Sequence, residues 1–399
     1  MADQTQSSTS YTFTDGAVRP YPEADLTVYS RFQLQFVKKD TLGRGGDGLV
    51  HLYEHTRKRS LVAVKVPRQQ SAQNAEVMDK EANNFVRLGP HDHVVQLIAF
   101  SQDHVPSPAI FLEFCELGDL HFYRARWWAQ EDDKDRPRRT SELSIWKLLR
   151  DMALGLHFLH DGHHTRWVHG DLKPENILVC PPDNWDMADG VPEMPIFKIT
   201  DLARLTPYGT PSEGRNRRWQ GTPEYAPPYE EQCRAVTPAV DMWSLGAVIQ
   251  SFVFGITPVQ SKQAFAAECL SRGDTSFPHL LSDEWTRPQW RRKRPTVFRP
   301  LDATREDLRV SWDLAGVSRG YEPYSTMLNE WYEDLWDKDV DTRTTSSFLV
   351  LNFVNEYTEF LKKVSGQDDP VAAPQSSSED EVKGETIEEI LAQDDEDLL

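Results

Sequence analysis

The chain has 399 residues, 39% hydrophobic and 27% charged, a composition that excludes fibrous, fully disordered and membrane-spanning classes. Its formal net charge is −19; residues 366–399 hold twelve acids against Lys383, which accounts for −11 and leaves −8 to the rest, so general nucleic-acid binding is not expected. The N-terminus lacks the basic-then-apolar pattern of a signal peptide, and Cys115, Cys180, Cys233 and Cys269 form no CxxC pair, so a cytoplasmic or nuclear protein with reduced thiols and no membrane association is expected.

Residues 1–31 are polar and rich in Ser, Thr, Asp and Pro, the composition of a loosely ordered extension. Alternation over Phe32–Phe36 predicts a strand, and the run Leu61–Val66 predicts another. A helix over Glu76–Leu88 follows, then strands over Val94–Ile98 and Ala109–Phe114. Beyond Gly118, Ile145, Leu148, Leu149, Met152, Leu156 and Leu159 recur at helical spacing, with Ser141 as N-cap. A buried helix is predicted from Asp241 through Ile249. Strands first and helices second predict an α+β fold of two lobes with a cleft, divided into an N-lobe of about 32–112 and a C-lobe of about 116–364. Glu131–Arg139, Pro181–Met194 and Thr286–Arg299 read as surface insertions. Residues 365–399 read as an acidic disordered tail in which Thr386–Gln393 carries one apolar stripe.

Chemistry concentrates in a few motifs. Gly43-Arg44-Gly45-Gly46-Asp47-Gly48-Leu49-Val50 fits GxGxxGxV between two predicted strands, where bare backbone can approach phosphate oxygens; the alternative is a glycine-rich hairpin turn. Val62-Ala63-Val64-Lys65 ends a buried strand on a lysine, for which Glu81 is the natural counter-ion and nucleotide phosphates the other ligand. His169-Gly170-Asp171-Leu172-Lys173-Pro174-Glu175-Asn176 sets an aspartate to accept a hydroxyl proton, a lysine to balance phosphate charge and an asparagine oxygen to bind Mg²⁺.

With these stand Glu113-Phe114-Cys115-Glu116, Thr200-Asp201-Leu202-Ala203, Gly221-Thr222-Pro223-Glu224-Tyr225-Ala226-Pro227-Pro228, Asp241-Met242-Trp243-Ser244-Leu245-Gly246 and Asp339-Val340-Asp341-Thr342-Arg343. In this order, over roughly residues 32–364, the chain resembles the eukaryotic protein kinase superfamily, on the Ser/Thr side. The resemblance implies a kinase transferring the ATP γ-phosphate to protein Ser/Thr hydroxyls, with Lys65, Glu81, Asp171 and Lys173 as its catalytic set. It implies Mg²⁺ on Asn176 and Asp201, and nucleotide binding by Gly43, Gly45, Gly48, Val50, Ala63 and Lys65. Backbone groups of Glu113 and Cys115 would hold adenine with Leu112 behind it, and Asp119 would hold ribose. Aminoglycoside and choline phosphotransferases share the fold and His-Gly-Asp, but generally lack the Gly221–Tyr225 segment and the Asp241–Gly246 helix, which makes that the minor reading.

Four departures favour a rival reading, a pseudokinase scaffold with a tail-binding partner. Gly170 replaces an arginine that usually receives an activating phosphate, while Arg215, Arg217 and Arg218 read as a solvated loop. Ala203 stands where glycine usually follows, at a cost if its φ must be positive; the other alignment removes two residues from the loop. Asp47 sits at the flap tip, where an acid opposes phosphate. Tyr229 occupies the place of a glutamate that pairs with an arginine matched here by Arg343, leaving Glu230 as the substitute. Arg291-Arg292-Lys293-Arg294 reads as a solvated basic loop.

Overall fold

The computed structural model describes residues 10–14, 17–21, 32, 35–45, 48–68, 72–101, 108–130, 139–183, 185–209, 218–314, 316–318 and 321–365. Asp47, the apolar stripe expected over Thr386–Gln393, Arg215 and Arg217, and all of Glu131–Arg139 except Arg139 lie outside these residues. The described chain forms two compact units. The first takes residues up to Phe114 together with Asp201–Ala203; the second takes Cys115–Thr200 and the chain from Arg204.

In the first unit a short hairpin, β1 (Ser10–Thr14) and β2 (Ala17–Tyr21), precedes a five-stranded antiparallel sheet. That sheet comprises β3 (Phe36–Arg44), β4 (Gly48–His55), β5 (Leu61–Pro67), β6 (Leu97–Ser101) and β7 (Ala109–Glu113), in the order β3-β4-β5-β7-β6. The strand expected from Phe32 begins at Phe36 instead. Phe32 and Gln35 are helical, and the four-residue spacing lets Phe32 stack on Phe36 at 4.6 Å while its edge meets Phe111 at 5.0 Å. The strand expected over Val94–Ile98 begins at Leu97. Helix α1 (Ala72–Leu88) buries Met78, Ala82, Phe85 and Val86, one apolar face at helical spacing. It ends at Gly89, whose φ of +73° lets its amide reach the Phe85 carbonyl.

The second unit is mainly helical. Its helices are α2 (Leu120–Gln130), α3 (Glu142–His160), α4 (Tyr229–Gln232), α5 (Ala239–Phe254), α6 (Lys262–Ser271), α7 (Pro288–Arg291), α8 (Arg305–Val310), α9 (Thr326–Glu333), α10 (Ser346–Phe348) and α11 (Val354–Ser365). Each of the six apolar residues expected to line α3 is fully buried. Ser141 occupies the N-cap but does not bond the helix; its hydroxyl donates to Glu193. Helix α5 is buried all round from Val240 to Phe254, which explains its unbroken hydrophobicity. Strands β8 (Arg166–Val168), β9 (Ile177–Cys180), β10 (Ile196–Ile199) and β11 (Thr206–Tyr208) pair β9 with β10 and β8 with β11, and so bracket residues 169–176.

Two expected surface insertions, Pro181–Met194 and Thr286–Arg299, are exposed or half-buried over most of their described length and are anchored near their C-terminal ends. Near the end of the first, Val191 is buried and the Pro192 carbonyl accepts from the Tyr123 hydroxyl at 2.8 Å. In the second, Thr296 and Arg299 are buried, and the Thr296 hydroxyl donates to the Ala226 carbonyl at 2.7 Å. The surface reading therefore holds for the bulk of both stretches, and the buried anchors are possible because their polar groups find partners.

Candidate active site

In the first unit the sheet register sets the expected nucleotide-facing residues. Gly43 pairs with Val50 across β3–β4, Val50 with Lys65 across β4–β5, and Ala63 with Leu112 across β5–β7. The Gly45 amide donates to the Gly48 carbonyl at 2.9 Å, closing the hairpin end. A Cβ on Gly48 would stand 2.8 Å from the Val66 carbonyl oxygen, so this position admits only glycine. The Glu113 amide and carboxylate both bond the backbone of Gln96.

Lys65 is the electrostatic centre of this unit. Its ammonium lies 2.7 and 2.6 Å from the two Glu81 oxygens and 3.0 Å from Asp201 Oδ1. Burial alone would lower the lysine pKa; the Glu81 and Asp201 carboxylates outweigh it and hold the ammonium above the ordinary lysine range. Asp201 has φ +62°, the left-handed region, which aspartate tolerates better than most residues. Ala203 is not among the positive-φ residues, and Leu202–Arg204 forms a 3₁₀ turn directly after Asp201. The strain expected at Ala203 therefore falls on Asp201.

In the second unit the catalytic-loop motif is anchored by Asp241, on the first turn of α5. Its carboxylate accepts from the amides of His169 at 2.7 Å and Gly170 at 2.8 Å, and from His160 Nε2 at 2.9 Å. His169 Nε2 donates to the Thr200 carbonyl at 2.9 Å. Gly170 has φ +75°, and a Cβ there meets no described atom within 4 Å. Gly170→Ala is therefore expected to cost about 1–2 kcal/mol of stability through backbone strain alone, read as a lower urea midpoint with an unchanged slope.

Asp171 is nearly buried, and its two oxygens differ. Oδ1 accepts from the Thr222 amide at 2.6 Å and the Thr222 hydroxyl at 2.8 Å. Oδ2 is flanked by Arg204 Nε at 3.5 Å and Lys173 Nζ at 3.7 Å. Lys173 also donates to the Thr222 hydroxyl at 3.2 Å, and Arg204 to the Gln220 carbonyl. Asn176 Nδ2 donates to the Asp171 carbonyl at 2.9 Å, which leaves its amide oxygen as the ligand it can offer. Asp119 caps α2, its Oδ1 accepting from the Phe122 amide at 2.8 Å. The Cys115 carbonyl accepts from the Gly118 amide at 3.1 Å.

Two expectations about charge are corrected. Arg343 pairs not with Glu230 but with Glu231, bidentately at 3.0 and 2.9 Å, because the helical turn of α4 carries residue 231 inward and leaves Glu230 and Tyr229 exposed. The basic cluster is not simply solvated. Arg291 forms a fork on Glu224 at 2.6 and 2.8 Å, and Arg294 donates twice to the Gln260 carbonyl. Thr222 and Asp241 stand in recognised motifs without an assigned role there, and the signal for Arg204 is a cation three residues beyond the metal-loop aspartate Asp201.

Residues 36–353 match the family described as the protein kinase domain. Among curated relatives, serine/threonine-protein kinase atg1 of Aspergillus niger is 26% identical over 276 residues, 61% of this chain and 26% of that protein. Serine/threonine-protein kinase pkn3 of Myxococcus xanthus is 26% identical over 246 residues, 61% of this chain and 42% of that protein. Serine/threonine protein kinase OSK3 of Oryza sativa subsp. indica is 25% identical over 223 residues, 55% and 38% of the respective chains. The chain spans about a quarter of the length of the atg1 relatives it matches. The matched span, the antiparallel sheet unit and the helical unit lead to one conclusion: the chain belongs to the protein kinase domain family.

Proposed function

We propose that this protein is a Ser/Thr kinase that transfers the ATP γ-phosphate to hydroxyls of protein substrates, with residues 32–364 as its kinase domain. The observation that carries the reading is Asp171. Thr222 fixes one of its oxygens, and the other faces two cations and is the one suited to accept a hydroxyl proton. Lys173, bonded to Thr222, balances charge on the phosphoryl group being transferred. Lys65, locked by Glu81, holds nucleotide phosphates under the backbone of Gly43, Gly45 and Gly48. Val50, Ala63 and Leu112 with the backbone of Glu113 and Cys115 receive adenine, and Asp119 the ribose, in addition to its capping of α2.

The family uses ATP with a divalent metal and acts on proteins. The Asp201 carboxylate and the Asn176 amide oxygen are hard donors that suit Mg²⁺, an ion usually held by one or two carboxylates plus substrate phosphates. When bound, the ion neutralises charge on the β- and γ-phosphates. Four free cysteines fit a reducing cytoplasmic or nuclear compartment, and no helix among the described residues is long and apolar enough to cross a membrane. A partner for the acidic tail is part of the same proposal.

Incubation with labelled ATP, Mg²⁺ and mixed proteins, followed by phosphoamino-acid analysis, tests the reading. Phosphoserine or phosphothreonine is expected. Transfer confined to tyrosine, or to choline and aminoglycosides, overturns it, and nucleotide binding without transfer favours the pseudokinase rival.

A further inference from the structure

One turn of α1 bonds the Leu202 and Ala203 carbonyls directly and reaches Asp201 through Lys65. Lys80 Nζ donates to the Ala203 carbonyl at 2.7 Å, and Asn84 Nδ2 donates to the Leu202 carbonyl at 2.7 Å. Glu81 carries the Lys65 ammonium, which reaches Asp201 Oδ1. Positions 80, 81 and 84 are neighbours on one helix side, since offsets of three and four bring side chains together. All of these residues belong to the first unit. Asn84 is 3% exposed and Leu202 fully buried, so the Asn84 bond satisfies a carbonyl that water does not reach.

Asp201 needs such support. A non-glycine residue at φ +62° is strained by about 1 kcal/mol or more and persists only where its surroundings over-determine it. Ala203 adds none of the backbone freedom a glycine would, so the turn has fewer conformations to enter once its carbonyls are held.

We infer that Lys80 and Asn84 are positioning residues of the phosphotransfer reaction: by holding the Ala203 and Leu202 carbonyls, they keep Asp201 in its left-handed conformation with its carboxylate set for the metal. The inference rests on the kinase reading above and adds two residues outside the family's motifs.

The test uses the full chain and the variants Lys80→Met, Asn84→Leu and their double, which remove donors while keeping bulk, with Lys80→Arg as the variant that keeps a donor. Amide hydrogen exchange without ligand reads the clamp itself. Exchange over residues 199–205 is expected to quicken in the Met and Leu variants and to stay at the parent rate in Lys80→Arg. The Mg²⁺ concentration for half-maximal phosphate transfer is expected to rise about 10-fold in the double variant, as when groups that orient metal ligands are lost, with the KM for ATP at saturating Mg²⁺ little changed. Unchanged exchange, or faster exchange with an unchanged Mg²⁺ requirement, overturns the inference. If the parent chain transfers no phosphate, the kinase reading fails separately, and Mg²⁺-dependent binding of a fluorescent ATP analogue replaces the transfer readout. A parent chain that neither transfers nor binds nucleotide overturns both.

Discussion

Lys65→Met is expected to lower phosphate transfer by about 10²–10³-fold, the scale of losing one pre-aimed electrostatic group, and to destabilise the sheet unit as well. The structural part follows from burial. The ammonium sits against Glu81, whose side chain is 1% exposed, and against Asp201. Removing it leaves two carboxylates facing the same space, and breaking a buried pair typically costs about 3–5 kcal/mol. The two effects separate in the double variant Lys65→Met with Glu81→Leu, which removes both buried charges. Stability is expected to recover toward the parent while transfer stays low. Recovery of transfer with stability would show that the lysine acts only as a strut. The sign of the pH dependence is also fixed. Because the folded-state pKa of Lys65 is raised, its contribution is fully present below the ordinary value of 10.5 and is lost only as pH rises through the higher folded value. Deprotonation of Lys65 therefore changes stability only in strongly basic buffer, and a fall in melting temperature between neutral and mildly basic buffer would have to come from elsewhere.

Arg343→Met is expected to destabilise the helical unit by about 3–5 kcal/mol, among the largest effects available to a single substitution here. The guanidinium is fully buried, forks onto Glu231, donates to the carbonyls of Ala239 and Asp337, and lies 5.0 Å from the Trp243 ring centroid. Glu231, at the inner side of α4, loses its bidentate partner in the variant. Chemical denaturation followed by tryptophan fluorescence measures the loss, since Trp243 stands beside the substituted residue. Arg343→Lys is expected to recover only part of the loss, because an ammonium cannot reproduce the two-pronged geometry. Glu230→Gln, by contrast, is expected to leave stability within about 0.5 kcal/mol of the parent, as exposed sites usually do. A result in which Glu230→Gln is the damaging substitution would return the pairing to the register the sequence suggested.

These two residues also show where sequence reading succeeded and where it stopped. The lysine and its glutamate were legible because a charged residue closing an apolar strand requires a counter-ion, and helix α1 offered one. The stripe on α3 was legible because six apolar residues at helical spacing fit no other element. Arg343 was recognised, but its partner was placed one residue early. Which of Glu230 and Glu231 turns inward depends on where a four-residue helix begins, and a string does not state that. The turn after Asp201 failed for a related reason. The letters Asp-Leu-Ala showed that a glycine was missing, yet not that the left-handed φ belongs to the aspartate. The grips of Lys80 and Asn84 on this turn were invisible because they run from side chain to backbone across more than a hundred residues, and a backbone carbonyl carries no sequence signature. The basic run 291–294 read as a solvated loop because charge patterns report solvation by default, whereas Arg291 had a specific carboxylate waiting at Glu224.

Asp171 as the base for phosphate transfer to protein hydroxyls is tested by one comparison of rates. Initial rates of transfer from labelled ATP to mixed proteins are compared for the parent chain and Asp171→Asn, at equal concentration and saturating Mg²⁺. The substitution keeps the side-chain shape that Thr222 recognises and leaves the backbone carbonyl bonded to Asn176, while removing the proton-accepting charge. Robust transfer to serine or threonine is expected of the parent, with a fall of about 10²–10⁴-fold in the variant. Equal rates for the two proteins would contradict this role of Asp171.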